Sequence, residues 1–157
     1  MNYIPPSEAT KPILMDRVFD APLSRVFNAW TEPDQIKVWF GYQPGAVQEA
    51  EIDLKVGGAW KFVLSRDQEQ TTAFTGHYLE ISRNERLVFT WSYLIEKADG
   101  TQEATSFSKV TVDFEASAGE QTRINIKHEG IQSGEAQGNV GNGWAKCLEN
   151  LPGILAS

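Results

Sequence analysis

The sequence predicts an α+β fold in which a largely antiparallel sheet of about seven strands is covered by a C-terminal helix, and three observations predict it. From Val47 to Glu129 apolar residues recur with a period of two, broken by short turn signals. Before and after that stretch the apolar period is helical. A sheet with one apolar face must bury it, and the last helical stripe is the available cover.

Residues 1–11 read as a flexible tail, with Pro5 and Pro6 adjacent and little apolar content, ahead of a single domain over 12–157. Ile13 to Phe19 forms a first strand. Asp20-Ala21-Pro22 marks a helix start, with Asp20 or Ala21 near the cap and Pro22 where its missing N–H costs little. Leu23, Val26, Phe27 and Trp30 make the stripe of that helix. Thr31-Glu32-Pro33 restarts a short second helix that buries Ile36, Trp39 and Phe40.

Val47 to Asp53 is the next strand and Lys55-Val-Gly-Gly58 a turn. Trp60, Phe62 and Leu64 then face one way, against Lys61, Val63 and Ser65. Thr71 to Ile81 is another strand, with Asn84-Glu85 turning into Leu87, Phe89, Trp91 and Tyr93 on one face. Asp99-Gly100 is a strong turn signal. Ser106 to Glu115 alternates around Val110, Val112 and Phe114, and Arg123 to Glu129 puts Ile124, Ile126 and His128 on one face. From Gln137 onward Val140, Trp144, Cys147, Leu148 and Leu151 share a helical face. Pro152 predicts that this helix ends or kinks at Leu151, leaving Gly153 to Ser157 as a separate tail.

Bulk properties bound the function. The 157 residues suffice for a sizeable core without disulfides or metal. Fourteen Lys and Arg against 21 Asp and Glu give a net charge of −7 with no basic run, which argues against nucleic acid as a partner. Cys147 is the single cysteine, so no internal disulfide can form, and a reducing compartment is expected. The N-terminal residues lack a secretory pattern and no apolar run approaches membrane-spanning length, so a cytoplasmic protein without membrane insertion is expected.

The stretch KHEGIQSGEAQGNVGNGW, residues 127–144, invites two readings that fail on spacing. A zinc-protease helix needs a second His four residues after His128, where Gln132 stands, and His77 is the only other His, so no metal site is expected. The glycines between Gly134 and Gly143 match no phosphate-binding spacing; they read as the connection over the sheet's edge to the last helix. Cys147 reads as a core residue. No pair of carboxylates is forced together, so no acid–base dyad can be named and catalytic residues are unknown.

His128 faces the final helix, either as a polar contact for a ligand or bonded to backbone near that helix. His77 has the parity opposite to Phe74, unless a bulge flips it. Trp39, Trp60, Phe62, Phe74, Phe89, Trp91 and Trp144 map to inner faces. They form either a packed core or the wall of an apolar pocket with a few polar handles.

In order along the chain, FDAPLSRVFNAWTEPDQIKVWFG, EIDLKVGGAWKFVL, GHYLEISRNERLVFTW, KVTVDF and KHEGI…GW…CLENL resemble the family related to the activator of the large heat-shock chaperone's ATPase. That family sits in the START-like (SRPBCC) helix-grip superfamily of polyketide cyclases and lipid-transfer domains, and the resemblance spans roughly residues 13–151. It implies a curved antiparallel sheet gripping a long C-terminal helix, two small helices closing one end, and a cavity between sheet and helix. The fold hosts several functions, so it does not fix one. The chaperone activator carries a separate N-terminal domain that this chain is not expected to hold. Ala118-Gly-Glu-Gln-Thr122 also departs from the family's glycine-rich turn.

The leading expectation is a cofactor-free protein, monomer or homodimer, that binds a small hydrophobic or aromatic ligand in a cavity between the sheet and the C-terminal helix. Trp39, Trp60, Phe62, Phe74, Phe89, Trp91, Trp144 and Leu148 would line its pocket, with His128 as the polar contact. The alternative is a chaperone-associated regulator with a heat-shock chaperone as partner. A third reading is a cyclase-like or hydrolytic enzyme with His77 or His128 as base.

Overall fold

The computed structural model describes residues 12–41, 43–105, 107–131 and 134–155, with backbone alone over 134–139. The expected tail over residues 1–11 lies outside the described residues. The first strand is β1 (Ile13–Phe19), followed by helices α1 (Leu23–Thr31) and α2 (Pro33–Trp39). Then come β2 (Glu49–Ile52), β3 (Ala59–Arg66), β4 (Gln70–Ser82), β5 (Arg86–Lys97), β6 (Gln102–Ala104), β7 (Ser108–Ala116) and β8 (Thr122–Glu129). Helix α3 (Gly134–Leu155) closes the order.

The strands form one antiparallel sheet in the order β1-β8-β7-β5-β4-β3-β2, with β6 paired to β5 beside this path. Strands β1 and β2 are neighbours in sequence yet lie at opposite ends of the sheet, so α1 and α2 carry the chain across its face. Strand β6 adds to the strands expected from alternation. Its three residues are all exposed and none is large and apolar, so no periodic signal marks it.

Two bulges bend the sheet. Leu64 is the extra residue between Val63, which faces Ala73, and Ser65, which faces Thr72. Leu79 is the extra residue between Tyr78, opposite Phe89, and Glu80, opposite Val88. Such insertions increase local twist and curl a strand, here around the helices. The second bulge follows His77, which stays on the outer face and exposed.

Helix α1 starts one residue later than its sequence suggests. Pro22 is itself the N-cap, extended at φ −71° and ψ 159°, and Thr122 Oγ1 donates to the Ala21 carbonyl just before it. Glu32 ends α1 and caps α2, because a residue before proline is pushed to extended angles and Pro33 then fits the first helical turn. Val26, Phe27, Trp30, Ile36, Trp39 and Phe40 are buried, so both predicted stripes face the core.

The final helix corrects two expectations. The glycine-rich run is part of α3, which begins at Gly134, and does not serve as the connection from the sheet. Gly141 lies where an added Cβ would be 3.9 Å from Ile13 Cδ1, so the helix runs close over β1. The helix also continues through Pro152 to Leu155. Proline removes one backbone bond and crowds the carbonyl four residues back. Against that cost, Leu151 is fully buried and Ile154 and Leu155 pack on the core. The Arg25 guanidinium donates to the Ile154 carbonyl, one of the terminal carbonyls that a helix leaves without a partner. Ala156 and Ser157 lie outside the described residues.

Trp144, Cys147, Leu148 and Leu151 form the buried stripe of α3. Asn150 donates to the carbonyls of Trp39 (3.1 Å) and Gly41 (3.0 Å), fastening the end of α2 to α3.

Candidate functional site

His128 sits on β8 between Ile13 of β1 and Val110 of β7, fully buried beneath α3. Its two ring nitrogens are both held by side chains. Trp144 Nε1 lies 3.0 Å from Nδ1, and Ser108 Oγ lies 2.6 Å from Nε2. An indole N–H can only donate, so Nδ1 carries the lone pair and the proton is on Nε2. The imidazole then donates to Ser108 Oγ, and the Ser108 hydroxyl donates to the Trp91 carbonyl at 3.2 Å. The relay is closed: its protons have acceptors, and neither imidazole nitrogen is left to meet a substrate. Burial pushes the His128 pKa down to about 4, which keeps the ring neutral. This is a polar anchor of α3 on the sheet, made to side chains rather than to backbone.

A cavity lies on the inner face of the sheet where β3, β4 and β5 meet α1 and α2. Trp60, Phe62, Tyr78, Leu87 and Phe89 line it from the sheet, and Trp30, Ile36 and Phe40 from the helical side. Its volume is ≈ 10 Å³, about the room one water molecule requires. The aromatic walls interlock: Trp60 and Phe89 meet edge to face at 5.6 Å, and Phe40 meets Phe62 the same way at 5.1 Å. Gly76 lies opposite Trp60 and leaves room for its indole, since a Cβ there would come 2.9 Å from Trp60 Nε1. Burial pushes the Tyr78 phenol pKa up, so it is a neutral hydroxyl at the wall.

The aromatic surface continues past the cavity. Phe40 contacts Phe74 at 6.1 Å, and Phe74 contacts Trp91 at 4.8 Å and Tyr93 at 5.7 Å. Phe74, Trp91 and Tyr93 are only half-buried. Trp91 in turn meets the His128 ring edge to face at 5.2 Å.

Of the residues expected to line a pocket, the structure brings Trp60, Phe62 and Phe89 together around the cavity. Phe74 and Trp91 lie on the half-exposed extension of the same sheet face. Trp39 is packed among the helices with its N–H on the Ala29 carbonyl (2.7 Å). Trp144 stacks on Trp30 at 5.9 Å, and Leu148 is buried beside it on α3. Trp30, Ile36, Phe40, Tyr78 and Leu87 were not singled out as lining residues, though the first three lie on predicted stripes. Tyr78 shares the parity of Phe74, and Leu87 that of Phe89, so extending each alternation finds both.

Cys147 is buried against α2's exit, with the Gly41 N–H 3.5 Å from its sulfur, and burial pushes its pKa up to about 12. Among the described residues no three of His, Cys, Asp and Glu come together as a metal-binding group. Among the same residues no helix is long and apolar enough to cross a membrane.

A curved antiparallel sheet closed by two short helices and gripping a long C-terminal one defines the START-like helix-grip class. Within that class the chain belongs to the family described as activator of Hsp90 ATPase homolog 1-like protein, whose model matches residues 20–156. Among curated proteins none matches the chain. Solved structures do. Protein NE0264 from Nitrosomonas europaea has a TM-score of 0.74 at 19% identity, covering 93% of this chain and 94% of that one. PFC0360w, an Hsp90 activator from Plasmodium falciparum, has a TM-score of 0.71 at 25% identity, covering 94% and 97%. DynU16, from the dynemicin biosynthetic locus, has a TM-score of 0.71 at 18% identity, covering 94% of this chain and 48% of that one.

Proposed function

We propose that the protein binds a small apolar or aromatic ligand between the sheet and its helices. The observation that carries this reading is the aromatic cavity under α1 and α2, which continues into the half-buried Phe74, Trp91 and Tyr93. Small-molecule sites are mostly apolar with a few placed polar groups, and this face has that make-up. The space is narrow without ligand, so binding requires side chains to give way. Because both nitrogens of His128 are engaged within the protein, its role is to hold α3 on the sheet. Native mass spectrometry of the purified protein, followed by a screen of apolar aromatic compounds, tests the reading. A co-purifying or saturably bound small molecule supports it, and no binding across the screen refutes it.

A second reading, regulation of an Hsp90-type chaperone, is favoured by the family match and by the likeness over nearly the whole length of an Hsp90 activator. A pull-down with the chaperone and an assay of its ATPase separate the two. Stimulation that survives blocking of the cavity supports this second role. The absence of both binding and stimulation removes it.

A further inference from the structure

A strand at the end of a sheet presents backbone N–H and C=O groups that have no neighbour. This sheet ends at β2 on one side and at β1 on the other, and β6 adds a short third edge. Strand β2 is four residues long and exposes Glu49 and Glu51, and the three residues of β6 include no large apolar side chain. Short, charged edges of that kind resist pairing with another chain. Strand β1 is different. Its seven residues hold no proline and pair with β8 throughout without a bulge. Leu14 is 71% exposed and Val18 43%, the only large apolar side chains that an edge strand exposes among the described residues. Asp16, Arg17 and Val18 are exposed in succession, so both faces of this edge are open.

We propose that β1 is the interface of a homodimer, in which the β1 strands of two copies pair antiparallel about Asp16 and join the two sheets edge to edge. Ile13 lies opposite the buried His128, so Leu14, Asp16 and Val18 share the outer face. The two exposed apolar side chains stand two positions to either side of Asp16. A strand with this spacing is its own complement. Turned about Asp16, it sets Leu14 against the partner's Val18 and Val18 against the partner's Leu14, two apolar cross-strand pairs related by a two-fold axis. A foreign strand would have to match this spacing, whereas a second copy carries it. The two Asp16 carboxylates meet at the axis, and like charges opposite each other weaken a pair. Each, however, is already held by the guanidinium of Arg123 on β8, 2.5 Å away, so the row across the interface alternates in charge.

Sedimentation velocity of the full chain from about 10 μM to 1 mM tests the association, since a single edge-to-edge pairing belongs to the small, reversible interfaces. A shift from monomer to dimer over that range is expected, and a monomer throughout would overturn the proposal. Leu14→Lys and Val18→Lys should each weaken the dimer about tenfold, because each substitution enters the interface twice. Val56→Lys, at a side chain 65% exposed in the turn before β3, should leave it unchanged. A dimer indifferent to the two β1 substitutions would show that the contact lies elsewhere. The register has its own readout. Leu14→Cys and Val18→Cys chains are mixed in equal amounts and oxidised, and the disulfide-linked dimers are told apart by mass; Cys147 is buried and does not compete. Directly opposite positions lie within disulfide reach, whereas Leu14 and the partner's Leu14 are four positions out of register, so the mixed dimer should far outnumber both symmetrical ones. Random proportions, or an excess of either symmetrical product, would overturn the pairing about Asp16.

Discussion

His128 is the residue on which sequence and structure are most instructive together. Its parity on β8 placed it facing the last helix, and it does face it, but its nitrogens meet Trp144 and Ser108. Those partners lie 16 positions after it and 20 before, on separate elements, so no local pattern could reveal them. The relay makes a pH prediction. The ordinary value of 6.5 falls to about 4 in the folded protein, so between those values the unfolded chain binds a proton that the folded one refuses. Stability is therefore constant in this respect above pH 6.5 and is lost as pH falls toward 4. At about 1.4 kcal/mol per unit, the loss from pH 7 to pH 5 is about 2 kcal/mol. Urea unfolding at the two pH values measures it, and His128→Gln should flatten the difference; an unchanged slope in that variant contradicts the assignment. Ser108→Ala, which strips the acceptor from the buried Nε2–H, should cost about 1–3 kcal/mol in the same measurement.

At the scale of elements, the strands and helical stripes were legible wherever an apolar period ran for several residues, as over Arg86–Lys97 and Thr122–Glu129. What escaped lacked such a period or was settled by packing. The bulges at Leu64 and Leu79 depend on a neighbouring strand's register. Helix α3 holds together through Pro152 because residues on both sides of it find places on the core. Pro152→Ala restores a backbone donor and should raise stability by about 1–3 kcal/mol without changing helix content; no gain in urea unfolding would mean the turn is not helical in solution. Gly76→Ala tests the sheet beneath the cavity. Its Cβ would fall 1.9 Å from the Thr90 carbonyl oxygen, which is backbone and cannot swing aside. Strands β4 and β5 must part there and Trp60 must shift, so loss of the cooperative unfolding transition is expected; a variant as stable as the parent contradicts the close approach.

On the scale of the whole molecule, the helix-grip arrangement follows from a sheet that must cover one face and a chain that crosses from β1 at one end to β2 at the other. The crossing delivers Trp30, Ile36 and Phe40 onto aromatic residues of β3, β4 and β5, and the cavity is formed where those two sets meet. The sheet's half of that wall was readable from alternation. The helical half was readable as core but not as site, because which sheet residues it would oppose depends on the crossing. The most direct test of the central claim is a crystal structure of the protein with the tightest-binding apolar aromatic compound. The account predicts density for that compound bounded by Trp60, Phe62, Tyr78 and Phe89, with Ile36 and Phe40 displaced. Density only at another surface, with this core unchanged, would contradict it.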